Sequence, residues 1–189
     1  SPLREALLRN SLMSVFADLP CGGASNDYIL EINGVDCDAS APKNDECEGA
    51  IMVPAAGGTE NFDTTFATTS GLALDPSCDE GFGTAFVKDV WYKWTPTCDG
   101  SAEVSTCNSA TFDTRLAVYT DCFGSLVACN DDGAGCGLTS DVIFPVTTGQ
   151  AYYIRVGGFS GGGTGSVSFS CVVPITNDEC LTATPILNG

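Results

Sequence analysis

Beyond residue 16 the chain breaks into short apolar runs separated by Gly, Pro, Asn and Asp, and little of it keeps a helical period. That punctuation limits the fold more than any other feature. Runs of this length bury their apolar side chains as strands, and strands so short need a second sheet to close a core. The expected strands lie at 28–32, 50–55, 87–95, 102–106, 115–120, 126–129, 142–146, 151–156 and 166–173. In "DVWYKWTP", Val90, Tyr92 and Trp94 alternate with Trp91 and Lys93; in "YYIRVGG", Tyr153 faces away from Tyr152, Ile154 and Val156. The expected fold is all-β: an antiparallel two-sheet sandwich of jelly-roll type. Two glycine-rich stretches, 130–137 and 157–165, read as long hairpin turns; neither leads into a helix that would cradle phosphate.

Eleven cysteines in 189 residues, with no paired C-x-x-C zinc pattern, point to disulfides formed outside the cytosol. The odd count leaves at least one thiol free, bonded to another chain, or parted from a partner by cutting of the chain. The closest pairs, Cys98 with Cys107 and Cys122 with Cys129, each flank a strand and are read as local links.

A net charge of −17 disfavours nucleic acid and anionic membranes as partners. The absence of histidine excludes Ser-His-Asp, Cys-His and histidine-ligated zinc mechanisms. No Gly-x-Ser-x-Gly elbow is present, and no carboxylate pair is tied to a substrate cleft, so the chain reads as non-catalytic. No segment is long and apolar enough to span a membrane. Residues 1–16 carry Arg4 and Arg9 with Leu8, Leu12, Val15 and Phe16 at helical spacing, which predicts a short amphipathic helix.

In sequence order, "NDECEGA", "WYKWTP", "FDTRLAVY", "CNDDG" and "YYIRVGG" resemble the bacterial pre-peptidase C-terminal domain family, in the cysteine-rich form found in tandem in large secreted proteins. The resemblance spans residues 44 to about 173. It implies a non-catalytic jelly-roll-type sandwich, accessory to a secreted or surface protein, often with calcium nearby.

One acidic constellation suits calcium. Asp113 precedes a strand and Asn130, Asp131 and Asp132 follow another; a hairpin would bring these hard oxygens to one end of the sandwich. The same "NDDG" also reads as an ordinary turn in which Gly133 supplies positive φ. Asp63 and Asp141 are weaker candidates. Trp91, Tyr92, Trp94, Tyr152 and Tyr153 offer a sugar-stacking platform, although packing is the commoner fate of such alternating aromatics.

The motif "NDEC" occurs at 44–47 and again at 177–180, each time after a strand-like run and a cysteine, Cys37 or Cys171. The domain reading is therefore an N-terminal extension (1–43), a sandwich (44–176) and a C-terminal extension (177–189) resembling the first strand of a following repeat. Either the chain is cut from a tandem array, or its ends join copies. In the second case Tyr28, Leu30 and Ile32 of one copy and Ile186 and Leu187 of another complete neighbouring sheets, with Cys21 or Cys180 bonding across the joint. Head-to-tail contact of that kind builds a homopolymer, an extracellular filament or surface array. The alternative is an accessory module binding polysaccharide or a partner protein.

Overall fold

Nine strands form among the described residues: β1 (Ile51–Val53), β2 (Gly58–Asp63), β3 (Val87–Trp94), β4 (Gly100–Ser105), β5 (Thr114–Tyr119), β6 (Leu126–Asn130), β7 (Asp141–Val146), β8 (Tyr152–Gly158) and β9 (Thr164–Val172). The computed structural model describes residues 41–172 apart from 79, 80 and 82. The expected N-terminal helix, Tyr28, Leu30, Ile32, Ile186, Leu187, Cys21, Cys37 and Cys180 lie outside those residues.

The strands build two sheets, ordered β1-β3-β8-β5-β6 and β2-β9-β4-β7. All pairings are antiparallel except β1 with β3. β2 was not expected from the sequence. Phe62 is its one buried apolar side chain, so its backbone, paired with β9 over six positions, forms the strand without an alternating signal. The two glycine-rich stretches are not hairpin turns: 130–137 carries the chain from β6 to β7 and 157–165 from β8 to β9, in each case from one sheet to the other.

The inner core follows the predicted alternation. Val90, Tyr92 and Trp94 of β3 and Tyr152, Ile154 and Val156 of β8 meet Val104, Phe144, Val167 and Phe169 from the four-stranded sheet. Trp94 packs edge-on to Phe169 with ring centroids 5.7 Å apart.

The larger sheet is covered on its outer face as well. Trp91, Ala117 and Tyr119 point outward from it and are sealed by Cys47, Leu74, Cys78 and Phe86. Most of this cover belongs to the β2–β3 connection. Every residue of β5 is consequently buried, including Arg115.

Beneath the cover lies a fully buried ion pair. Arg155 Nε donates to Asp89 Oδ2 at 2.9 Å and a terminal guanidinium nitrogen to Oδ1 at 3.0 Å; both side chains are wholly enclosed. Arg155 also donates to the Leu72 carbonyl at 2.8 Å and lies 4.1 Å from the Phe86 ring centroid. Asp89 takes the Ser70 amide and hydroxyl. Four hydrogen bonds on one carboxylate offset its desolvation.

Four disulfides brace this arrangement: Cys47–Cys122, Cys78–Cys129, Cys98–Cys171 and Cys107–Cys136. The local links expected between Cys98 and Cys107 and between Cys122 and Cys129 do not form. Cys98 and Cys107 flank the six-residue β4, whose ends are roughly 20 Å apart at ~3.3 Å per residue. Cys129 lies opposite Ala117, inside the β5–β6 hairpin and away from the turn that holds Cys122. A disulfide needs Cα atoms within roughly 4.4–6.8 Å, so each cysteine bonds across elements. The first two bridges tie down the 3-10 turns Cys47–Gly49 and Pro76–Cys78, which flank the covered face.

Candidate cation site and the covered aromatics

Antiparallel pairing of β5 with β6 sets Leu116 opposite Asn130, so the start of one strand and the end of the other share an end of the sandwich. Asp113, Asp131 and Asp132 meet there, each offering a carboxylate oxygen within 4.8 Å of the others. Two oxygens bound to one calcium at about 2.4 Å lie at most ~5 Å apart, so the spacing fits. The Oδ1 atoms of Asp113 and Asp132 are shielded from solvent and accept no hydrogen bond. Burial, then the charges of Asp131 and Asp132, push the Asp113 carboxyl above its ordinary pKa, while Arg115 pulls the other way.

Arg115 limits the site. One guanidinium nitrogen donates to Asp131 Oδ2 at 2.5 Å; another donates to the Gly83 and Ala85 carbonyls, both at 2.7 Å. Asp131 therefore already answers one positive charge, and the cluster retains an excess of negative charge. Behind it, Ser140 Oγ lies 2.6 Å from the Thr114 carbonyl and 2.7 Å from the Asp131 carbonyl, which anchors the two loops to each other.

Asn130 ends the strand just before this group. Opposite Leu116 it shares that residue's face, whereas Asp131 lies beside Arg115, and Asn130 Oδ1 accepts the Asp141 amide at 2.9 Å. Asp63 caps its own turn, and the Thr65 side chain and then its amide lower the Asp63 pKa by hydrogen bonding. Asp141 lies instead beside Glu103, whose pKa is raised by burial and by Asp141. Gly133 does not adopt positive φ; a Cβ there would come 2.9 Å from Asp141 Cβ and 3.0 Å from Cys136 Sγ, so close approach requires the glycine.

The aromatic residues make no stacking platform. Trp91 is 1% exposed, and Tyr92 and Trp94 are fully buried. Trp91 Nε1 donates to Ser70 Oγ at 3.1 Å and Trp94 Nε1 to the Pro54 carbonyl at 3.1 Å. Burial pushes the Tyr92 hydroxyl up to about 12. Tyr152 is buried and Tyr153, half-buried, is covered by Lys93.

Sequence reasoning missed Asp89, Arg115 and Arg155. The available signal was an arginine inside an otherwise apolar strand, in "TRLAVY" and "YIRV", in a chain with only seven basic residues.

Together these features define a disulfide-braced β-sandwich module with an acidic corner and a larger sheet covered on both faces. Residues 43–170 match the T9SS-associated family described as galactose binding domain-like, and the chain belongs to that family. It is a family of secreted bacterial protein domains; the resemblance to pre-peptidase C-terminal domains is not confirmed by this match. No curated protein matches the chain. Among the described residues no helix is long and apolar enough to cross a membrane.

Proposed function

We propose that the chain is a secreted, non-catalytic module that binds polysaccharide outside the cell. The observation that carries this reading is the family match over 43–170, which takes in β1 to β8 whole and most of β9. The absence of histidine agrees with it, as does the use of both buried arginines in holding the covered face. The test is depletion of the purified, oxidised chain from solution by insoluble polysaccharides. Retention that soluble fragments of the same glycan reverse is expected; a chain left in the supernatant by every glycan refutes the reading.

Calcium is proposed as a structural ion of the acidic corner, held by Asp113, Asp131 and Asp132. Its charge would offset the repulsion that raises the Asp113 pKa. The sign follows from that shift. The folded chain holds the Asp113 proton to higher pH than the unfolded chain does, so in calcium-free buffer this group's penalty grows as pH rises above 3.8 and vanishes below it. Asp113→Asn is therefore expected to raise the melting temperature at pH 7 without calcium, to have no such effect near pH 3, and to abolish the increment that calcium gives the wild type. A wild-type melting temperature indifferent to calcium and chelator refutes the site.

A second reading, head-to-tail assembly, draws on what the first "NDEC" does. Asn44 brackets the Trp91 backbone, donating from Nδ2 to its carbonyl at 2.9 Å and accepting its amide at 2.8 Å. Asp45 takes the Thr68 amide and hydroxyl, at 2.7 and 2.8 Å, and Cys47 bonds Cys122. Asn177, Asp178 and Cys180 repeat these residue types, and on this reading they clamp a second copy of the module. Sedimentation separates the two cases: linear polymers that vanish on deleting residues 177–189 are expected from assembly, and a monomer unaffected by the deletion rules it out.

A further inference from the structure

The β2–β9 pairing sets Asn61 opposite Ser166 and Phe62 opposite Gly165, and the β4–β5 connection closes beside them through a bridge between Ala110 and Gly165. The result is an open groove of about 650 Å³, within the ~300–1,000 Å³ usual for small-ligand sites. Its floor requires glycine: a Cβ on Gly165 would sit 2.6 Å from the Phe62 ring and 2.8 Å from the Ser109 carbonyl. Its wall is held in place. The Ser166 amide donates to the Ser109 carbonyl at 2.8 Å, the Thr111 amide to the Thr164 carbonyl at 3.0 Å and the Asn108 amide to Thr139 Oγ1 at 2.8 Å, beside the Cys107–Cys136 bridge. Asn108 takes the left-handed conformation, with φ 54°, that asparagine tolerates better than most residues. A site so tethered loses little entropy on binding.

The chemistry of the lining is distinctive. In a chain of net charge −17, no residue lining the groove is charged. Among the described residues, the Asn61 amide and the Thr164 and Ser166 hydroxyls have no hydrogen-bond partner, whereas Thr111 Oγ1 is engaged by Thr164. The nearby Asp63 carboxylate is committed to Thr65. The groove thus presents neutral donors and acceptors over the edge of a single aromatic ring, while the surrounding negative charge repels anionic chains.

We infer that this groove seats a neutral, hydroxyl-rich saccharide, held by Asn61, Asn108, Thr164 and Ser166 through hydrogen bonds rather than aromatic stacking, and that it disfavours uronate polymers. The inference rests on the polysaccharide reading and deepens it by naming the seat and the charge class. Its test uses the whole oxidised chain against insoluble galactan, mannan and cellulose and against a cross-linked uronate polymer, at low salt. Asn61→Ala and Ser166→Ala are expected to weaken retention on the neutral glycan by roughly threefold to tenfold each, as loss of one hydrogen bond does. Ser166→Tyr, which fills the groove, is expected to abolish it, and Gln150→Ala in the β7–β8 turn to leave it unchanged. Equal melting temperatures and intact disulfides in all variants establish that folding is preserved. Retention that survives Ser166→Tyr and both alanine changes overturns the groove and leaves the polysaccharide reading standing. Equal or stronger retention on the uronate polymer overturns the charge selectivity. Retention on no glycan at all overturns both.

Discussion

Asp89→Ala is expected to destabilise the protein by about 3–5 kcal/mol, the cost of stripping one partner from a buried ion pair. The carboxylate it removes accepts two hydrogen bonds from Arg155 and two from Ser70, and neither Asp89 nor Arg155 has any solvent exposure. What remains is an enclosed guanidinium facing carbonyl oxygens and the Phe86 and Trp91 rings, with no carboxylate among these partners. Such a loss is a large share of the ~5–15 kcal/mol that holds a domain together. Urea unfolding checks it: the midpoint falls while the slope stays close to that of the wild type. Asp89→Asn keeps the shape and one acceptor, so it should lose less; a change below about 1 kcal/mol for Asp89→Ala contradicts the role assigned to the pair.

Replacing Cys78 and Cys129 together by alanine has the second large effect. The bridge closes a separation of 51 residues, for which the chain-entropy relation gives about 4 kcal/mol, and native bridges typically supply about 2–4. It also pins the β2–β3 connection onto the outer face of the larger sheet. The loss is expected to be local before it is global. Trp91, which that connection covers, gains solvent and its emission shifts to the red, while Trp94 in the inner core keeps its environment. Phenylalanine replacement of either tryptophan assigns the signal. A variant with unchanged emission and a stability loss under about 1 kcal/mol contradicts the view that the bridge holds the cover.

Much of the fold was legible because alternation is local. Val90, Tyr92 and Trp94 declare one face of β3 by residue type alone, and the eight strands expected within the described region form with small shifts of their ends. The grouping into sheets was not legible. A glycine-rich connection looks the same whether it turns back beside its own strand or crosses to the other sheet, and both 130–137 and 157–165 cross. Disulfide partners escaped for the same reason: proximity along the chain suggested Cys98 with Cys107, but a strand between two cysteines holds them apart. Asp113 and Asp131 were within reach because one hairpin joins them. The covered outer face could not be foreseen, since its cover is an irregular connection with no period of its own. That cover takes Trp91 out of reach of a sugar, while the inner core does the same for Tyr92, Trp94 and Tyr152.

We propose binding on the neutral groove of a disulfide-braced module and calcium at its acidic corner, with the covered face serving stability. The most direct test is calorimetric titration of the oxidised wild-type chain, in calcium, with oligosaccharides cut from the neutral glycan that retains it. Saturable binding at one site per chain, with an affinity little changed by added salt, is the predicted result. Absence of heat beyond dilution, or binding that appears only with acidic oligosaccharides and fades as salt is raised, would contradict it.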